Sequence, residues 1–276
     1  MKTSQIRNFL IGLVGVLAIT LGLSIFTTAS AATNFYYSLT ILGSGTILPQ
    51  SINDARQVVG YATSRTSTTA FLWENGTMIS LGALRSGFLV SPVVANDINE
   101  AGQVVGYSDT DSHSEHAFLW AKGTMKDLGT LGGTESSASS INNRGQIVGT
   151  STTSSGSSHA FLWANGTMKD LGTLGGTDSF AASINNKLEV VGTSTTSSGK
   201  SHPFMWVNSK MRDINSLVLA NSVFEKFDTF RPTHINNNGQ ILGYGTISQD
   251  FSAFNCGGSV GVCDCAVILT PTWVTN

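Results

Sequence analysis

The sequence predicts an all-β fold, a five-bladed β-propeller assembled from repeats of about 43–51 residues. Three observations carry that expectation. An Ile-Asn pair recurs at Ile52-Asn53, Ile98-Asn99, Ile141-Asn142, Ile184-Asn185 and Ile235-Asn236, at spacings of 46, 43, 43 and 51 residues. Each pair leads into a Gln/Glu-apolar-apolar-Gly run, such as Gln146-Ile147-Val148-Gly149. A second block then ends on tryptophan, clearest as His159-Ala160-Phe161-Leu162-Trp163. Periods of this length mark propellers and arrays.

The chain opens with a segment that reads as an address. Lys2 and Arg7 precede an uncharged run from Leu10 to Phe26, and Ala29-Ser30-Ala31-Ala32 offers an A-x-A cleavage site. Residues 1–31 therefore read as a secretory signal peptide, with an uncleaved membrane anchor as the rival. No second long apolar run follows, so no membrane span is expected in residues 32–276, which read as one domain.

Within that domain each repeat divides into four short strands, exemplified by Ser136–Asn142, Gln146–Thr152, His159–Trp163 and Met168–Leu171. Asn165-Gly166 and Asn75-Gly76 supply the turn of a two-residue hairpin. The third strand is apolar on both faces, as a blade packed between two neighbours requires. Ala95, Ala138 and Ala181, three before the repeat isoleucine, are expected at the crowded axis. The fifth repeat stops after Ala266–Leu269, and the missing strand is found ahead of the first repeat as Tyr37-Ser38-Leu39-Thr40-Ile41-Leu42-Gly43. That strand is expected to complete the last blade and close the ring, because closure removes exposed strand edges. The fourth repeat carries an insertion, 215–233, with Leu217, Phe224, Phe227 and Phe230 among mixed charges. It reads either as a loop with its own small core or as a contact surface.

The triplets His116-Ala117-Phe118 and His159-Ala160-Phe161, with Asp170-Leu171-Gly172-Thr173-Leu174-Gly175-Gly176 and the terminal Val267-Ile268-Leu269-Thr270-Pro271, resemble the HAF repeat family of bacterial extracellular proteins. The resemblance spans nearly all of residues 32–276. His202-Pro203-Phe204 breaks the triplet, Thr69 and Cys265 replace its histidine, and Leu188 replaces a turn glycine. It implies export and a repetitive β fold, and no established activity.

Composition narrows the function. Charged residues make up only 12% of 276 and hydrophobic residues 41%, which excludes disorder. Lys+Arg number 15 against 17 Asp+Glu, so no basic excess exists to meet nucleic acid. Thirty glycines beside five prolines, without a three-residue period, exclude collagen.

Candidate chemistry is sparse. His116, His159 and His202 occupy equivalent places, too far apart on separate blades for one metal; each is expected to tie its blade through a side-chain-to-backbone hydrogen bond. Trp73, Trp120, Trp163 and Trp206 are read as structural repeat residues too. Asp127, Asp170 and Asp213 are expected to be solvated. A single site must break the repeat symmetry, which singles out Asp97, Glu115 and Asp228 as binding candidates, or as the two carboxylates of a glycosidase-like hydrolase. Cys256, Cys263 and Cys265 cluster in the last repeat and are disulfide candidates in an exported protein. No catalytic, metal or cofactor set is identified. The reading is a secreted, periplasmic or cell-surface protein, expected to be monomeric: a non-catalytic binding or scaffold module for a glycan or an envelope protein, with a secreted hydrolase as the alternative.

Overall fold

The computed structural model describes residues 46–65, 67–85, 92–218, 229–247 and 263–271. The expected leader 1–31, the strand Tyr37–Gly43, Asp228 and Cys256 lie outside them. The fold is a five-bladed β-propeller of antiparallel sheets. Blade 1 holds β1 (Thr46–Ile52), β2 (Val58–Thr63), β3 (Thr68–Glu74) and β4 (Thr77–Ser80). Blade 2 holds β5 (Val93–Ile98), β6 (Val104–Asp109), β7 (Glu115–Ala121) and β8 (Thr124–Asp127). Blade 3 comprises β9 (Gly132–Ile141), β10 (Ile147–Thr153), β11 (Ser158–Ala164) and β12 (Thr167–Asp170), and blade 4 comprises β13 (Gly175–Ile184), β14 (Val190–Thr196), β15 (Ser201–Val207) and β16 (Lys210–Asp213). Blade 5 contributes three described strands: β17 (Thr229–Ile235), β18 (Ile241–Ile247) and β19 (Cys263–Leu269).

Local chemistry sets each turn. Asn75-Gly76 and Asn165-Gly166 take positive φ at both positions (49° and 83°, 52° and 86°), which matches the twist of the flanking strands as expected. Every innermost strand also carries one extra residue opposite the repeat glycine, so that Ala138 faces Gly149 while Ser140 faces Val148. The same shift occurs in β1, β5, β13 and β17. This bulge drives a backbone carbonyl onto the glycine, and a Cβ at Gly149 would sit 2.0 Å from the Ser137 oxygen. Only glycine fits there.

The core lies between blades. Val59, Leu72 and Leu81 on the leading face of blade 1 pack on Ala95, Ile98, Val104, Phe118 and Trp120 of blade 2. The same pairing joins blades 2 and 3, 3 and 4, and 4 and 5. Phe118, Phe161 and Phe204 are fully buried in these seams. Ala95, Ala138 and Ala181 belong to the seams as well, so their small size serves contact with the neighbouring blade rather than crowding at the axis. Ile214, just ahead of the insertion, packs with Val218 and Phe230 from within it into the seam of blades 4 and 5, while Leu217 is exposed.

The faces flanking the fifth seam differ. Val59, Val105, Val148 and Val191 are 0% exposed, but the equivalent Leu242 is 43% exposed and Ile268 65%. On blade 1, Ile52 is 66% exposed where its equivalents are buried. Among the described residues, then, four seams are packed and the leading face of blade 5 and the trailing face of blade 1 are open.

Candidate functional site

Each repeat turns from its first strand into its second through the Ile-Asn corner. Asn142 Oδ1 accepts hydrogen bonds from the Arg144 and Gln146 backbone N–H groups. Its Nδ2 donates to Gln146 Oε1 and to the Asn185 carbonyl of the next blade. Asn53, Asn99 and Asn185 make the same bridge to Asn99, Asn142 and Asn236. The relay therefore runs from blade 1 to blade 5.

The residue after each asparagine forms a second ring of contacts. The Glu100 N–H donates to Asn143 Oδ1 (3.1 Å), Asn143 N–H to Asn186 Oδ1 (2.9 Å), and Asn186 N–H to Asn237 Oδ1 (2.9 Å). In blades 1 and 2 this position is acidic: the Asp54 N–H donates to the Glu100 carboxylate. The corners of blades 3, 4 and 5 enclose an open depression of about 210 Å³, lined by Asn142, Asn143, Asn185, Asn186, Asn236 and Asn237 with the repeat isoleucines behind them. Exposed Arg144 and Lys187 follow the amides in the chain. In blades 1 and 2 the position after the corner asparagine is thus acidic, whereas blades 3 to 5 carry amides there, with exposed Arg144 and Lys187 following and one carboxylate, Glu189, held by Asn185 Nδ2 in the blade 4 corner.

Asp97 stands at this end, half-buried on β5. One oxygen accepts from Ser51 Oγ (2.8 Å) and from the Ile98 N–H (2.9 Å). The other accepts from Ser140 Oγ (2.9 Å) and the Ile141 N–H (3.0 Å). The carboxylate is a clamp on three blades with its lone pairs occupied. Asp97→Asn turns one oxygen into a donor facing donors, and chemical denaturation is expected to show a loss of about 2 kcal/mol.

Glu115 lies at the exposed start of β7, two strands out from Asp97. Two strand spacings of about 4.8 Å and four residues of about 3.3 Å put the two backbones roughly 16 Å apart, and Asp97 is turned toward the serines. The structure does not bring them together as a carboxylate pair. Partial burial, then Asp109, then Glu135 raise the Glu115 carboxyl above its ordinary range. A raised carboxyl disfavours the folded state once ionised. Glu115→Gln is therefore expected to stabilise near pH 7 by less than about 1 kcal/mol, given solvent screening. Thermal melts should show the difference shrinking as pH falls below the carboxylate range.

The histidines have partners other than the expected backbone groups. His116 Nδ1 reaches the Asp127 carboxylate (2.8 Å), His159 reaches Asp170 (2.7 Å) and His202 reaches Asp213 (2.6 Å). The same aspartates accept from the Gly129, Gly172 and Asn215 N–H groups. Asp127 and Asp170 are exposed, as expected of solvated surface, and Asp213 is half-buried; all three also join strand three to the turn after strand four. Trp163 and Trp206 are buried between blades, covered by Lys126 (5.1 Å) and Lys169 (5.6 Å) of the preceding blade. Trp120 is buried likewise, and Trp73, beside the open seam, is half-buried.

Among the described residues no group of three or more His, Cys, Asp or Glu is placed to hold a metal ion. Cys263 and Cys265 share β19 two residues apart, as expected, and Cys265 is half-buried. Among the described residues no helix is long and apolar enough to cross a membrane.

Comparison with protein-family models and with curated protein sequences gives no match. Solved structures do match in fold. A protein from Agrobacterium tumefaciens described as TolB aligns over 81% of this chain and 79% of its own, at 10% identity and a TM-score of 0.51. TolB from Acinetobacter baumannii aligns over 74% of this chain, at 15% identity and a TM-score of 0.49; the chain spans 52% of its length. AofleA from Arthrobotrys oligospora aligns over 83% of this chain and 76% of its own, at 12% identity and a TM-score of 0.42. At these identities the likeness concerns the fold alone.

Proposed function

We propose that this chain is an exported, non-catalytic binding or scaffold module that engages a glycan or an envelope protein through the Ile-Asn end of the propeller. The observation that carries this reading is the depression framed by the corners of blades 3 to 5, where amides are held in fixed orientation at a point of broken symmetry. Pockets of convergent polar groups on a rigid frame are the usual form of a recognition site. The leader-like residues 1–31 and the resemblance to HAF repeats support export to the periplasm, the cell surface or the medium. In that setting a disulfide among Cys256, Cys263 and Cys265 follows from the redox environment.

The test expresses the full chain, residues 1–276, in an exporting host and purifies the exported product. Intact mass before and after reduction reads both leader removal and the disulfide. Binding is measured on a glycan array and on immobilised envelope proteins, with glycoside hydrolysis assayed in parallel. Saturable binding without turnover is the expected result. Turnover of a bound glycan would favour the hydrolase reading, and silence on every surface would falsify the module.

A further inference from the structure

We infer that the depression between blades 3, 4 and 5 is a subsite for the carboxylate of a single acidic sugar, a uronate at a chain end. This rests on the binding-module reading and names its ligand. The inference starts from amide orientation. Asn143, Asn186 and Asn237 each turn Oδ1 toward a backbone N–H of the preceding blade. An N–H can only donate, so the oxygen end of each amide is fixed and the NH2 end is fixed with it. Among the described residues nothing takes a hydrogen bond from these three NH2 groups.

Three oriented donors ask for a ligand group that only accepts. A carboxylate does so, with about four lone-pair sites on two oxygens; exposed Arg144 and Lys187, next in the chain after Asn143 and Asn186, outnumber the one corner carboxylate, Glu189, which Asn185 Nδ2 already engages, and so favour a negative charge. A cation is disfavoured by the same donors. The volume of about 210 Å³ is below the range of about 300–1,000 Å³ typical of drug-sized ligands, so it holds one small polar unit. Ile141, Ile184 and Ile235 line the depression but are buried, so it offers little apolar surface for a hydrophobic side chain. A hydroxylated ring bearing a carboxylate meets all of these conditions.

The repeats themselves supply a clean variant. Asp54 and Glu100 occupy the position of Asn186 in blades 1 and 2, and the Glu100 carboxylate accepts the same kind of backbone N–H. Asn186→Asp therefore keeps the structural contact, removes the donor and adds a negative charge. Galacturonate, galactose and inorganic phosphate are titrated into the 15N-labelled protein, reading the side-chain NH2 resonances of Asn143, Asn186 and Asn237. Galacturonate should shift them saturably, galactose and phosphate at least tenfold more weakly, and Asn186→Asp should weaken galacturonate at least tenfold with an unchanged melting temperature. Equal shifts from galactose or phosphate, or undiminished galacturonate binding in the variant, overturn the acidic-sugar subsite while leaving a binding module. Amides silent to all three probes, in a protein that binds array glycans or envelope proteins, overturn the subsite alone. Silence there as well overturns both.

Discussion

Gly149→Ala is expected to prevent blade 3 from folding, at a cost of about 4 kcal/mol or more, the range reserved for severe single lesions. A Cβ on residue 149 would stand 2.0 Å from the Ser137 oxygen and 2.8 Å from the Ala138 Cα. Both are backbone atoms of β9, fixed by their pairing with β10, so no rotamer change relieves the clash. The strand would have to release its bulge, shifting Ile141 and the corner beyond it. Gly156→Ala provides the contrast. Gly156 sits in a turn at φ 87° with nothing near its Cβ position, so its cost is the local strain of an L residue there, about 1–2 kcal/mol. Soluble yield and urea midpoint distinguish the two. An alanine at 149 with the wild-type midpoint would remove the bulge from its place in the explanation of the repeat.

The second large effect is expected at Asn142. Asn142→Ala removes two acceptor contacts inside its own turn and two donor contacts, one of them to the next blade. Asn142 is 4% exposed, and of the groups it would orphan the Asn185 carbonyl is buried and the other three are partly buried. With each unpaired buried group costing about 1–3 kcal/mol, a net loss near 3 kcal/mol is expected. Asn236 makes the same contacts within its turn, to Gln240 and Asn238, but is exposed at the end of the relay. Asn236→Ala is therefore expected to cost about 1 kcal/mol, because water replaces the lost partners. The difference between the variants, read from urea denaturation, measures the bridge between blades. Equal losses would mean that the turn alone matters.

Much of this architecture was legible in the residues because the repeat registers itself. Hydrophobic alternation and Asn-Gly placed β10, β11 and β12 within a residue or two of their observed limits. The sequence pattern places the innermost strand at Ser136–Asn142, and it begins instead at Gly132, since Gly132-Gly133 has the composition of a loop whereas Gly133 packs on Thr152. The His–Asp ties left a readable trace, a constant separation of 11 residues at His116/Asp127, His159/Asp170 and His202/Asp213. Asp97 could be singled out as breaking the symmetry, yet residue type says nothing about which donors fill its lone pairs. The rim amides were hidden for a related reason. Asn143, Asn186 and Asn237 look like ordinary turn residues, and only the three-dimensional corner shows that their oxygens are spoken for while, among the described residues, nothing accepts from their NH2 groups.

The open seam also bears on how the molecule comes apart. Each packed seam joins a leading face to a trailing face, so the described blades behave as a short one-dimensional stack in which each unit leans on its neighbours. Among the described residues, blade 3 is held on both sides, whereas blades 1 and 5 are each held on one. Opening should therefore start at the two flanks and move inward. Native-state hydrogen exchange is expected to rank the amides accordingly, with β10 slowest and β2 and β18 fastest among the second strands. Uniform protection across β2, β10 and β18 would mean instead that the fifth pair of faces meets in solution and the propeller unfolds as one unit.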